Sequence, residues 1–98
     1  MTREEVMRRL KGHEGELRKA GLGALYLFGS TARNEASETS DIDLLFEVGI
    51  KRRFNLIDQA RIQDHLEALL GSHVDLLERA GLRPQIRTQV EPELVRIF

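Results

Sequence analysis

The sequence predicts a small mixed α/β fold of the α+β kind, a sheet of three or four strands with helices packed on it. Three observations carry this. Short apolar runs bounded by glycine or polar residues recur at 24–28, 41–48 and 73–77, each of strand length. Stretches with apolar residues at helical spacing precede the first run and separate the second from the third. The second of these, near 55–71, is long enough to be a crossover between parallel strands. Such a connection is expected to be right-handed.

Thr2 and Glu5 have the spacing of a capping box, which predicts a helix running to about residue 20. Val6, Leu10, Leu17 and Ala20 share one face of it, with His13 on the same stripe, and Gly21 and Gly23 end it. The apolar strand 24–28 is cut sharply by Gly29-Ser30, after which a short helical segment is predicted over 31–36. Ser37 to Ser40 forms a polar approach to the second strand, 41–48; Gly49 and the basic cluster Lys51, Arg52, Arg53 make the next loop. Asn55 with Asp58 three residues on is a helix start and Gly71 a stop. Between them Leu56, Ile57, Ala60, Leu66, Leu69 and Leu70 supply an apolar face. A third strand follows at 73–77. Gly81 and Pro84 mark a loop, residues 85–90 a short helix halted by Pro92, and 94–98 a terminal edge strand.

With 98 residues and no internal repeat, the chain predicts one domain, 1–98. A chain this short buries only about 60 to 65% of its unfolded surface, which favours a partner or self-association that covers more. Composition is that of an ordinary globular protein, 41% hydrophobic and 32% charged. Fifteen basic residues against sixteen acidic ones argue against binding nucleic acid directly through its phosphates. The absence of cysteine excludes disulfides, thiolate zinc sites and cysteine nucleophiles. No apolar run reaches the ~20 residues of a membrane span. The N-terminus is charged rather than signal-like, so a cytoplasmic address is expected.

The chemistry is concentrated between Leu27 and Asp75. Strand alternation aims Asp41 and Asp43 the same way while Ile42 and Leu44 face the opposite layer. Paired carboxylates opening an apolar strand repel each other and lose water, penalties that a divalent cation relieves. Mg²⁺ prefers carboxylate, water and phosphate oxygens, so Asp-x-Asp suits it. Gly29 lets a ligand approach the backbone, and Ser30 opens a helical turn whose N–H groups attract phosphate. If that turn and the Asp pair act at one site, the first two strands run antiparallel. For Asp75 to join them, the third must run parallel to the second. Three carboxylates beside a phosphate-binding turn suit nucleotidyl or phosphoryl transfer with two metal ions about 3.5–4 Å apart. Asp41 and Asp43 would bridge both, and Asp75 would hold the one that activates the attacking hydroxyl. Arg33 can reach phosphate, or instead pair with Glu35 or Asp41. His13 is most simply a packed residue, and His65 and His73 lack ligand spacing, which disfavours zinc. The Lys51–Arg53 run is a solvated loop or a contact for an acidic partner.

Gly29-Ser30, a gap of ten residues, Asp41-x-Asp43 and a later Asp75 resemble the signature of the nucleotidyltransferase superfamily that includes DNA polymerase beta. The longer string Phe28-Gly-Ser-x-Ala-Arg33 … Ser40-Asp-Ile-Asp-Leu44 is most similar to its minimal nucleotidyltransferase (MNT) branch. The resemblance implies the nucleotidyltransferase fold, with Asp41, Asp43 and Asp75 as catalytic metal ligands and Gly29, Ser30 and Arg33 at the nucleotide. It also implies an antitoxin, paired with a HEPN-domain ribonuclease toxin, that uses ATP and Mg²⁺ to transfer AMP onto a tyrosine of that toxin. Two alternatives stand beside this: an antitoxin that neutralises by binding alone, and nucleotidyl transfer to a small molecule.

Overall fold

A computed structural model describes residues 1–37, 40–49 and 53–98. Glu38 and Thr39 of the polar approach, and Lys51 and Arg52 of the basic cluster, lie outside the described residues. The elements run α1 (Arg3–Lys11), α2 (Glu14–Lys19), β1 (Leu22–Phe28), α3 (Gly29–Ala32), β2 (Ile42–Val48), α4 (Leu56–Leu70), β3 (Val74–Glu78), α5 (Pro84–Val90) and β4 (Val95–Arg96). Single 3₁₀ turns follow β3 and α5. The strands form one mixed sheet in the order β3-β2-β1-β4. β1 is antiparallel to both β2 and β4, and β2 is parallel to β3. This is the mixed α/β sheet that the sequence predicts. No helix among the described residues is long and apolar enough to cross a membrane.

Strand alternation divides the sheet into two apolar layers. Leu25, Leu27, Ile42, Leu44, Phe46, Val74 and Leu76 pack with Val6, Leu10, Leu17, Ile62, Leu66 and Leu70 from α1, α2 and α4. On the opposite side, Ala24, Tyr26 and Leu45 meet Val90 of α5 in a smaller cluster. The site lies on this second, less covered side. At the far end of the sheet Arg79 ties it off, bonding Glu47 at 2.8 Å, Glu91 at 2.6 Å and the Tyr26 hydroxyl at 3.2 Å.

Two predicted helices are shorter than their sequence pattern. The N-terminal one breaks at Gly12-His13: the His13 N–H bonds Leu10 O, three residues back, and α2 restarts with no side-chain cap. Glycine gives little support to a helix interior, and the offset still leaves Leu17 buried beside Leu10. α3 stops at Ala32 rather than 36 because Asn34 adopts a left-handed backbone, φ 61°. The Asn34 N–H then bonds Thr31 O and the Glu35 N–H bonds Ser30 O, the paired bonds that close a helix C-terminus.

α4 does more than cover the sheet. At its start, Asn55 Oδ1 accepts from the N–H groups of Ile57 and Asp58, and Asp58 Oδ2 accepts from the Asn55 N–H. Along it, Gln59 and Gln63 donate to Leu76 O and Val74 O, and Glu67 accepts from the Val74 N–H at 2.9 Å. These three side chains, spaced four apart, satisfy backbone groups of the edge strand β3 and fix its position. Asn55→Ala is expected to destabilise the protein by about 1 kcal/mol, the usual cost of losing such a cap. In a chain this size that lowers Tm by about 4–8 °C, measurable by thermal denaturation.

Candidate active site

Register assembles the site. In the antiparallel pair Phe28 lies opposite Asp43, and in the parallel pair Asp43 lies opposite Asp75. The end of β1 and the starts of β2 and β3 therefore meet at one rim of the sheet. Ile42 and Leu44 turn into the helix-covered core, which leaves Asp43 and Asp75 on the other face. Just ahead of the two parallel strands the same register brings His73 beside Asp41, where the Ile42 N–H donates to His73 O at 3.0 Å.

The side chains converge. One ligating atom from each of Asp41, His73 and Asp75 lies within 4.8 Å of the other two. His73 Nδ1 is 3.5 Å from Asp41 Oδ1 and 3.8 Å from Asp75 Oδ1. Asp43 is more enclosed than its neighbours. Burial, and then the charges of Asp75 and Asp41, push its carboxyl above the ordinary aspartate range, with Arg33 pulling weakly the other way. Such crowding is costly for the bare protein and is what a bound cation reverses, so this donor set fits a divalent metal.

Gly29 closes the rim from the β1 side. Its φ of 75° lies in the left-handed region, and a β-carbon placed on it would overlap the Asp43 carboxylate. Only glycine allows both this turn and this approach. Ser30 follows directly, so the α3 turn begins against Asp43, and the first N–H groups of a helical turn have no partner within the helix. Arg33, at the end of that turn, is held by Glu35 at 3.1 Å and Glu93 at 3.0 Å. The pairing with Glu35 is one that the sequence offers; the pairing with Glu93 comes from sixty residues away.

The structure thus brings together Asp41, Asp43, Asp75, Gly29 and Ser30, with Arg33 one turn along. His73 and Glu67 are additions. Spacing along the chain sets His73 aside as a ligand, but register across the sheet places it among the carboxylates. Glu67 stands behind it, with Oε2 3.8 Å from His73 Nε2. The other two histidines lie elsewhere: half-exposed His13 and His65 each contact Glu16 at 3.2 Å.

A mixed sheet of this order, with α1, α2 and α4 on one face and the shorter α5 on the other, is the nucleotidyltransferase fold. The sequence model of the nucleotidyltransferase domain matches residues 10–97, and the chain belongs to that family of enzymes. Protein adenylyltransferase MntA of Thermococcus cleftensis is 37% identical over 98 residues, which span 99% of this chain and 97% of that one. A solved structure described as a minimal nucleotidyltransferase is 38% identical and superposes with a TM-score of 0.81, covering 97% of this chain and 95% of its own. The fold also matches a chain of the tri-AMPylated Shewanella oneidensis HEPN toxin in complex with MNT antitoxin. There the TM-score is 0.69 at 20% identity, over 99% of this chain and 72% of that one.

Proposed function

We propose that the chain, as one minimal nucleotidyltransferase domain over residues 1–98, is an ATP- and Mg²⁺-dependent protein adenylyltransferase. It serves as the cytoplasmic antitoxin of a toxin–antitoxin pair and transfers AMP to a tyrosine hydroxyl of a HEPN-family toxin. The observation that carries this is the meeting of Asp41, Asp43 and Asp75 with the Gly29-Ser30 turn, in a chain 37% identical to MntA across nearly its whole length.

Asp41, Asp43 and Asp75 would hold the Mg²⁺, with the acceptor hydroxyl approaching on the Asp75 side. Bound there, the ions supply neutralisation of the phosphate charge and a lowered pKa for the acceptor hydroxyl. Ser30 and the α3 N–H groups hold the β- and γ-phosphates, with Arg33 beside them. The tyrosine oxygen then bonds to the α-phosphorus as the bond from that phosphorus to the β-phosphate bridging oxygen breaks. Pyrophosphate leaves, and the hydroxyl proton passes to the exposed Asp75 carboxylate and on to water.

Label position tests this reading. Incubation with Mg²⁺ and the HEPN-family product of the neighbouring gene is expected to label that partner from α-labelled ATP and not from γ-labelled ATP. Labelling from the γ-phosphate, or from neither, overturns it.

A further inference from the structure

We infer that His73 is an additional metal ligand, supplying one imidazole nitrogen to the acceptor-side ion between Asp41 and Asp75 and biasing that position toward Mn²⁺ over Mg²⁺. The inference rests on the carboxylates being a cation site, and adds to it a donor of a different chemical kind.

Three observations place the ring in this role. Nδ1 is 3.5 Å from Asp41 Oδ1 and 3.8 Å from Asp75 Oδ1, the two carboxylates whose ligating atoms fall with it inside one 4.8 Å cluster. The opposite nitrogen, Nε2, faces Glu67 Oε2 at 3.8 Å. A metal-bound histidine characteristically turns its second nitrogen to a carboxylate, which fixes the ring and strengthens the donor. Finally, the backbone of His73 and the carboxylate behind its ring are both anchored. His73 O accepts the Ile42 N–H at 3.0 Å, and the same Glu67 oxygen accepts the Val74 N–H at 2.9 Å. Ring, ligating carboxylates and backing carboxylate are thus all tied to the β2–β3 register.

The donor set has consequences for ion choice. Mg²⁺ is satisfied by oxygen alone and gains little from imidazole, whereas Mn²⁺, itself well suited by carboxylates and water, also accepts a nitrogen, though less strongly than the later first-row ions. With carboxylates and one imidazole at the same position, Mn²⁺ keeps its oxygen ligands and gains a nitrogen. Mg²⁺ binding depends on the carboxylates only.

The test combines Mn²⁺ and Mg²⁺ titration calorimetry with pulsed EPR of the Mn²⁺-loaded protein, on the wild type, His73→Ala and Asp43→Asn. The His73 side chain is 57% exposed, so its removal leaves the core untouched, which circular dichroism checks. Expected are ¹⁴N modulation from a directly bound imidazole in the wild type, its loss in His73→Ala, and Mn²⁺ affinity about tenfold lower in that variant, within the range seen for shells around bound metals. Mg²⁺ affinity should change by less than about twofold, since oxygen ligands dominate for that ion. Glu67→Gln, which keeps an acceptor for the Val74 N–H, should weaken Mn²⁺ alone. If Mn²⁺ binds without ¹⁴N modulation, if the modulation persists in His73→Ala, or if that variant weakens both ions equally, His73 is not a ligand. If the wild type binds neither ion, or Asp43→Asn binds both as the wild type does, the carboxylate site itself is wrong and the inference falls with it.

Discussion

Asp43→Asn is expected to lower AMP transfer by about 10²–10³-fold or more, the loss typical when a group that stabilises transition-state charge is removed. The same change should make the metal-free protein more stable. Asp43 is the enclosed member of the acidic set, and burial followed by the Asp75 and Asp41 charges raises its carboxyl above the ordinary aspartate range. A group raised on folding holds a proton in the native state that the unfolded chain has already released. Stability therefore falls as pH rises from the ordinary aspartate value through the raised one, and the full penalty is present above it. Asparagine carries no such penalty. Scanning Tm against pH, the wild type should gain on acidification through that interval and the variant should not, with the variant melting higher at neutral pH. Saturating Mg²⁺ should cancel the advantage, because only the wild type presents the full carboxylate set. A variant that is both inactive and less stable at every pH would place Asp43 in the scaffold.

Gly29→Ala should damage activity and stability together. An L residue in the left-handed region costs about 1–2 kcal/mol, and here the new methyl group also displaces the Asp43 carboxylate. A displacement of about 1 Å at reacting groups can cost about 10²-fold in rate. Gly71→Ala separates the two effects. Gly71 ends α4 at φ 66°, and a β-carbon there meets nothing within 4 Å. That variant should lose about 1–2 kcal/mol, seen in denaturant unfolding, with kcat unchanged. Equal activity losses in the two variants would mean that Gly29 matters only as a turn.

Much of this site is legible in the sequence because its parts obey local rules. Parity along β2 puts Asp43 on the face away from Ile42 and Leu44, Asp41 stands one residue before the strand rather than opening it, and Asn55, Asp58 and Gly71 bound α4 by cap chemistry that needs no tertiary partner. The requirement that Asp75 reach the other carboxylates gives the parallel β2–β3 pairing, which the register bears out. What local rules miss comes from places where distant segments decide. Apolar spacing reports which side of a helix is buried, and Leu10 and Leu17 keep that side across the break at Gly12, so the pattern does not reveal the break. α3 ends early because Asn34 takes a left-handed backbone, one stop signal among several polar residues. His73 and Glu67 are ordinary polar residues in sequence; the first gains meaning only when β3 is laid beside β2, the second only when α4 is laid on β3. Arg33–Glu93 and Arg79–Glu47 likewise join segments that no periodicity connects. The sequence holds a weak signal for His73: it opens the predicted strand that bears Asp75, at the position that parallel pairing sets opposite Asp41.

In the proposed enzyme, three aspartates and the Gly29-Ser30 turn make one cation and nucleotide site. That arrangement is tested most directly by anomalous diffraction at the manganese edge from crystals grown with Mn²⁺ and a non-hydrolysable ATP analogue. Manganese peaks are expected among Asp41, Asp43 and Asp75, with the triphosphate lying against the first turn of α3. Manganese bound elsewhere, or a nucleotide seated away from Gly29 and Ser30, would contradict it.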